Sequence, residues 1–282
     1  MGISLASGIL MGITFAPVEA WYLAWIALAP LWYLLCRDRN SGKWIYALCW
    51  GIGCYGCGLY WIFGIHPMTW LGVPDLASLG IATFCLTFIT VWGASLVIVW
   101  SIGLQFVNSK PQLNPLTRVI LGTAGWCGLE ELYSLTDLWW TSLALTQSPH
   151  NLPILHLGQL SGTTTVSAAI VLVNGLIAEA CLTFNLYYRL KLIQRIWKAS
   201  PYLNAAIGSI IILHSIGLML LNRPLSQPIE SSLKIGIIQG NIGNEVRHYR
   251  SGYDLAIENY TKGYISLAEQ GVAAVVTPET AF

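Results

Sequence analysis

Lys and Arg occupy only every second connection between the apolar segments of this chain, and no other feature constrains its fold as much. Seven apolar segments can be drawn, at about 2–16, 18–36, 44–64, 76–107, 116–135, 157–186 and 203–222. Assigning the connections alternately to two sides sends Arg37, Arg39, Lys43, Lys110, Arg118, Arg189, Lys191, Arg195 and Lys198 to one side. The connections around residues 17, 65–75 and 134–153 carry no Lys or Arg. A membrane bundle keeps its basic loops inside the cell, so this pattern predicts a helical bundle of about seven transmembrane spans with the basic end cytoplasmic. The chain after about Asn222 then lies on the outer face. Miscounting one segment would mix the charges between sides.

Composition agrees. Charged residues make up 10% of the 282 residues and apolar types 55%, against about 25% charged in a typical soluble domain. So few charges cannot coat a water-facing surface, and a bilayer is the alternative solvent. A net charge of +1 argues against a nucleic-acid partner, which would call for a basic patch. Trp21, Trp70, Trp139 and Trp140 fall at predicted outer ends and Trp44 and Trp197 at inner ends, where amphipathic rings anchor at membrane interfaces.

Local signals set the segment ends. Ala16-Pro17, Cys36 to Lys43, His66-Pro67 and Pro74-Asp75 interrupt the early segments. Asn108 to Pro115 is a strong stop, because Pro lacks a donor and disfavours helix in its neighbour. Ser134 to Pro153 reads as a long loop and Arg189 to Pro201 as a basic connector. The fourth and sixth segments, near 30 residues, each read as one tilted or protruding helix. The first run, Ile3 to Ala16, is short for a span, so its helix is packed or the true start lies upstream. No Lys or Arg precedes Arg37, so the basic n-region of a secretory signal is missing.

Composition shifts at Ser226 to Ser232. Leu233 to Gly240 reads as a short buried strand, and Gly252 to Gln270 as a helix with Ala256, Tyr260, Tyr264 and Leu267 on one face and Gly271 as its stop. Val272 to Thr277 reads as a second buried strand. The predicted organisation is a transmembrane domain over 1–222, a linker over 223–232 and the start of an α/β domain over 233–282. That sheet is incomplete as written, since two strands are not independently stable in water.

Several residues invite chemical readings. Cys54 and Cys57 form a CxxC, but in a Gly-rich apolar segment with no second ligand pair, so small residues at a helix contact are the simpler reading. His66, His150, His156 and His214 show no ligand spacing and read as structural, and no metal site or cofactor is predicted. Glu130 and Glu131 close the fifth segment; acids there serve either packing and solvation or the positioning of lipid or amine. Glu179, near the inner end of the sixth segment, reads as a snorkelling or paired charge. Glu279 follows the second strand in Thr277-Pro-Glu-Thr-Ala-Phe282, where α/β sheets tend to carry active-site groups, and suits a general base.

The sequence LKIGIIQGNI, a helix, then VVTPETAF resembles the opening of the nitrilase (carbon-nitrogen hydrolase) fold, an αββα sandwich whose catalytic Glu follows an early strand. Joined to a multi-span bundle, this is similar to the apolipoprotein N-acyltransferase family. Cys49 to Trp61 resembles that family's Gly- and Trp-rich third span, and Leu129-Glu-Glu-Leu followed by Trp139-Trp140 resembles its Glu-containing fifth span and aromatic loop. The resemblance implies transfer of an acyl chain from a phospholipid donor, through a Cys thioester, to the amine of a diacylglyceryl-modified apolipoprotein. It implies a bacterial inner (plasma) membrane enzyme with its soluble part on the periplasmic face. Glu279 would be the proton acceptor, and Glu130, Glu131, Trp139 and Trp140 would contact substrate.

The chain departs from the pattern in three ways. The family's later Lys and Cys are missing after Glu279, and Cys181 is the last cysteine. The family's final span is missing too, and Leu221-Asn-Arg-Pro224 stands where the family tends to have Trp. The 282-residue chain alone is therefore expected not to catalyse transfer. Two other readings stay open at this point: an inactive or split-gene fragment of such an enzyme, and a polytopic transporter or scaffold. Against the transporter stand the lack of an internal repeat and the placement of the acids near segment ends.

Overall fold

A computed structural model describes residues 1–37, 42–223 and 232–278. It separates into two compact units, one of residues 1–61 and 85–223, the other of residues 62–84 and 224–282.

The first unit is helical. Each of the seven apolar segments contains a helix: α1 (Gly2–Gly12), α2 (Ala29–Arg37), α3 (Trp44–Gly58), α4 (Asp75–Asn108) and α5 (Pro115–Ser134) come first. Two short helices follow, α6 (Leu152–His156) and α7 (Gly158–Ser161), then α8 (Thr163–Leu186) and α9 (Leu192–Leu221). Among the described residues α4, α8 and α9 are long and apolar enough to cross a membrane. The helix α5 has 20 residues but carries Arg118, Glu130 and Glu131.

α1 is indeed short, and it packs on α3 through small residues. A side chain at Gly12 would meet Cys57 Cβ at 2.6 Å, and one at Gly53 would meet the Leu5 carbonyl at 2.7 Å. Gly8 is pressed against the Trp50 backbone. Small residues four apart on both helices let the backbones approach, which is how membrane helices gain dispersion contacts. Cys54 is buried in this contact and Cys57 lies at its edge.

Three boundaries differ from expectation. The second segment is not one helix: a 3-10 turn at Trp21–Trp25 precedes α2. The break is tolerated because Asn174, buried on α8, accepts from the Leu28 and Ala29 amides at 2.9 Å and donates to the Ala24 carbonyl at 2.8 Å. The two amides are orphan donors of the α2 start, and the carbonyl is an orphan acceptor of the 3-10 turn that ends before it. The sixth segment is not one helix: α7 ends at Ser161 and α8 starts at Thr163, with Gly162 at φ +70° between them. The Arg189–Pro201 connector is mostly helix: α9 starts at Leu192, with Pro201 inside it. Gln194 accepts the Lys191 amide at 3.3 Å and helps start this helix. Elsewhere the stops are as expected, with Pro115 in the first turn of α5 and Asn114 accepting the Thr117 amide at 2.8 Å.

The charges predicted on the basic side include one deeply placed pair. Arg118 meets both oxygens of Glu179, at 2.7 and 2.6 Å, and donates to Asn108 Oδ1 at 2.8 Å. Lys43 is buried and donates to the Leu35 carbonyl at 2.6 Å, closing the end of α2.

In the second unit β1 (Ile235–Ile237) pairs in parallel with β2 (Ala274–Val276), with Ile235 opposite Ala274. Between them lie α10 (Asn244–Arg247) and α11 (Arg250–Glu269). A parallel pair needs a crossover of this kind. Gly271 has φ +71°, the left-handed stop expected after the helix. Helix α11 covers one face of the sheet: Leu267 packs at Gly236 and Ile238 at Gly263. Among the described residues nothing covers the other face, and Ile237 is 78% exposed, so there the strands are half-covered rather than buried. Tyr264 also turns outward, whereas Gly252, Ala256 and Tyr260 are buried. Within this unit the 65–75 loop meets the tail: Trp70 stacks on His248 and the Thr69 hydroxyl bonds that of Tyr249 at 2.8 Å.

Candidate functional site

At the end of the first unit away from Arg118, the last turns of α5 carry the two adjacent acids in different directions. Glu130 is 5% exposed. Its Oε1 accepts the Leu143 amide at 2.8 Å, at the start of the 3-10 turn Leu143–Gln147. The hydroxyls of Ser142 and Ser167 lie beside the carboxyl. Its Oε2 is buried without a well-formed hydrogen bond among the described residues. Glu131, exposed, accepts from the Thr164 hydroxyl at the start of α8.

Aromatic rings enclose the Glu130 side. Tyr55 is fully buried and fits because residue 93 is Gly: a Cβ there would stand 2.5 Å from the ring. Trp139 lies 6.0 Å from Tyr55 and 5.5 Å from Tyr133 between ring centroids. Tyr133 contacts Trp92 at 5.0 Å and bonds the Ser95 hydroxyl at 2.6 Å. The indole N–H groups of Trp92 and Trp139 are buried and unpaired among the described residues. Among the described residues, a buried carboxylate oxygen with no partner beyond the nearby serine hydroxyls and two unpaired indole N–H donors thus share an aromatic setting. Such groups favour a polar guest, since a buried polar atom left unpaired costs about 1–3 kcal/mol.

Of the four membrane residues expected at a site, Glu130 and Trp139 share this cluster. Trp140 instead packs on Trp61, with centroids 6.0 Å apart, and lines a cavity of about 290 Å³ beside Glu19. Glu19 in turn bonds His150 at 2.7 Å. Glu279 lies outside the described residues, three positions beyond the end of β2. Sequence reasoning missed Tyr55, Tyr133, Ser142 and Ser167. Only Tyr133 carried a signal: it stands three residues after Glu130, on the same side of α5. The remaining histidines are hydrogen-bonded, His66 to Ser78 at 2.9 Å and His214 to Asn151 at 3.2 Å.

The fold and this cluster define a helical bundle with three helices long and apolar enough to cross a membrane, followed in the chain by a strand–helix–strand unit. Residues 7–176 match the model of the apolipoprotein N-acyltransferase N-terminal domain. The chain belongs to the apolipoprotein N-acyltransferase family. It is 47% identical over 276 residues to the apolipoprotein N-acyltransferase of Nostoc sp. (strain PCC 7120), covering 96% of this chain and 53% of that protein. It is 38% identical over 290 residues to the Synechocystis sp. (strain PCC 6803) protein of the same name, covering 96% of this chain and 55% of the relative. The Thermosynechococcus vestitus protein is 34% identical over 269 residues, covering 94% and 48%. The chain thus spans about half the length of the curated relatives it matches.

Proposed function

We propose that this chain supplies the membrane bundle and the first soluble unit of an apolipoprotein N-acyltransferase. It sits in the bacterial plasma membrane with about seven spans, over 1–222, and its tail from 233 begins a nitrilase-like domain on the outer face. The reaction is acyl transfer in two steps. A cysteine thiolate attacks a phospholipid ester carbonyl; a thioester forms, and the lysophospholipid leaves with a proton. The amine of a diacylglyceryl cysteine then attacks the thioester; an amide forms, and the thiol is released.

Glu279 takes the proton from thiol and then from amine. The cluster at Glu130 and Trp139 holds a polar part of a substrate, and Glu131 and Trp140 border it. The nucleophilic thiol and the Lys of this mechanism are not assigned to residues of this sequence, in which Cys181 is the last Cys.

The observation that carries this reading is similarity along 96% of the chain to proteins named for this activity. The parallel β1–β2 pair supports it, because Glu279 follows the carboxyl end of β2, where open α/β sheets place reacting groups. The Trp70–His248 stack supports a tail on the same side as the Lys- and Arg-free 65–75 loop. The test is transfer of a labelled acyl chain from phospholipid to a diacylglyceryl lipopeptide, using membranes of cells that make the protein with its natural flanking sequence. Transfer is expected, with loss of at least a hundredfold in Glu279→Gln. Full transfer by Glu279→Gln removes the assigned role, and no transfer by the unaltered protein removes the function.

A further inference from the structure

At the basic end of the first unit two cavities meet. One, of about 630 Å³, is polar in part and lined by Arg37, Asn108 and the Arg118–Glu179 pair. The other, of about 790 Å³, is a groove between α2, α8 and α9, lined by apolar groups such as Ile177, Ala180, Phe184 and Leu203. Tyr33 and Asn185 line both, and the Asn185 amide donates to the Tyr33 hydroxyl where they join. The site is therefore amphipathic along one axis, greasy toward the middle of the bundle and polar at its end.

Among the described residues its charge is positive. Glu179 is fully engaged by Arg118, so the floor is neutral. Arg37 at the mouth is exposed and lies 5.7 Å over the Tyr33 ring, with no carboxylate partner among the described residues. Arg189 does not line the cavity, but follows the lining residue Tyr188 in the chain and donates to its hydroxyl at 3.1 Å. Tyr33, Asn185 and Tyr188 add donors that suit phosphate oxygens.

We infer that this double cavity holds one anionic phospholipid. Its phosphate lies at Arg37 and Asn185, and an acyl chain fills the groove between α8 and α9. This lipid is structural and separate from any acyl donor. Asn185 stands on the order of 30 Å along α8 from Thr164, which adjoins Glu131. The inference rests on the membrane bundle alone and not on the acyl-transfer reading.

Native mass spectrometry of the purified chain, delipidated and titrated with dioleoyl phosphatidylglycerol or dioleoyl phosphatidylcholine, tests it. One phosphatidylglycerol is expected to persist at energies that strip phosphatidylcholine. Arg37→Ala should lower its occupancy at least fivefold, and Leu203→Trp, which fills the groove, should do the same. Both variants should keep the parent melting temperature in the delipidated state, before lipid is added. A diazirine in the acyl chain should label residues 177–185 and 199–203, and millimolar glycerol 3-phosphate should not displace the lipid. Equal retention of both lipids overturns the inference, as does indifference to both variants. Labels spread over other helix faces, crosslinks to a protein segment filling the groove, or displacement by glycerol 3-phosphate also overturn it.

Discussion

The guanidinium of Arg118 on α5 meets the carboxylate of Glu179 on α8 through two parallel hydrogen bonds, and Glu179 is 1% exposed. The third arm of the guanidinium reaches Asn108 at the end of α4, whose amide donates to the Cys36 carbonyl at 3.2 Å. One cation thus ties together the ends of α2, α4, α5 and α8. Removing one partner of a buried pair leaves an uncompensated charge, at a cost of about 3–5 kcal/mol. Glu179→Leu should therefore lower the melting temperature in detergent markedly, and the Arg118→Met, Glu179→Leu double variant should recover much of the loss. A single variant that melts like the parent would show that the pair contributes little.

Asn174 makes the second claim on stability. Replacing it with Leu leaves the Leu28 amide and the Ala24 carbonyl without this partner, and the Ala29 amide with only the Ile26 carbonyl at 3.3 Å. Each such group costs about 1–3 kcal/mol. Hydrogen exchange at residues 28 and 29 is expected to speed up at least tenfold in Asn174→Leu, with exchange in α4 unchanged. Protection equal to the parent at those amides would mean that α2 begins without help from α8.

The two neighbouring acids should behave unequally. Glu130 is buried in the aromatic cluster with an unspent oxygen, whereas Glu131 is exposed and bonded to Thr164. In the acyl-transfer assay Glu130→Gln, which keeps an acceptor for the Leu143 amide, should raise KM or lower kcat by tenfold or more. Glu131→Gln should stay within about twofold. Equal, small effects from both would return Glu130 to a purely structural role.

Sidedness has a direct readout. Glu258 is on the exposed face of α11, where Lys262 bonds it at 2.5 Å and holds its carboxyl below the usual range. Glu258→Cys should react with a membrane-impermeant maleimide in cells whose outer envelope layers admit the reagent. Lys191→Cys, in a basic connection, should react only after the plasma membrane is opened. The reverse order of labelling would place the tail inside and leave the proposed chemistry without access to exported lipoproteins.

What the sequence by itself determined is local. Hydropathy located a helix in each of seven segments, and Pro115 and Asn114 marked the start of α5, because helix starts are governed by neighbours in the chain. Gly271 and the two β-branched runs likewise located α11 between paired strands. What only the tertiary structure decided depends on partners distant in sequence. The break before α2 persists because Asn174 reaches it from α8, roughly 150 positions away in the chain. Pro201 reads as a helix end from its neighbours, yet α9 runs through it, since a membrane helix tolerates Pro when its freed carbonyl is met by other means. Glu130 and Glu131 are indistinguishable as neighbours in a sequence. Their directions on the helix, one toward Tyr55 and the Leu143 turn and the other toward Thr164, make one a buried acceptor and the other a surface contact.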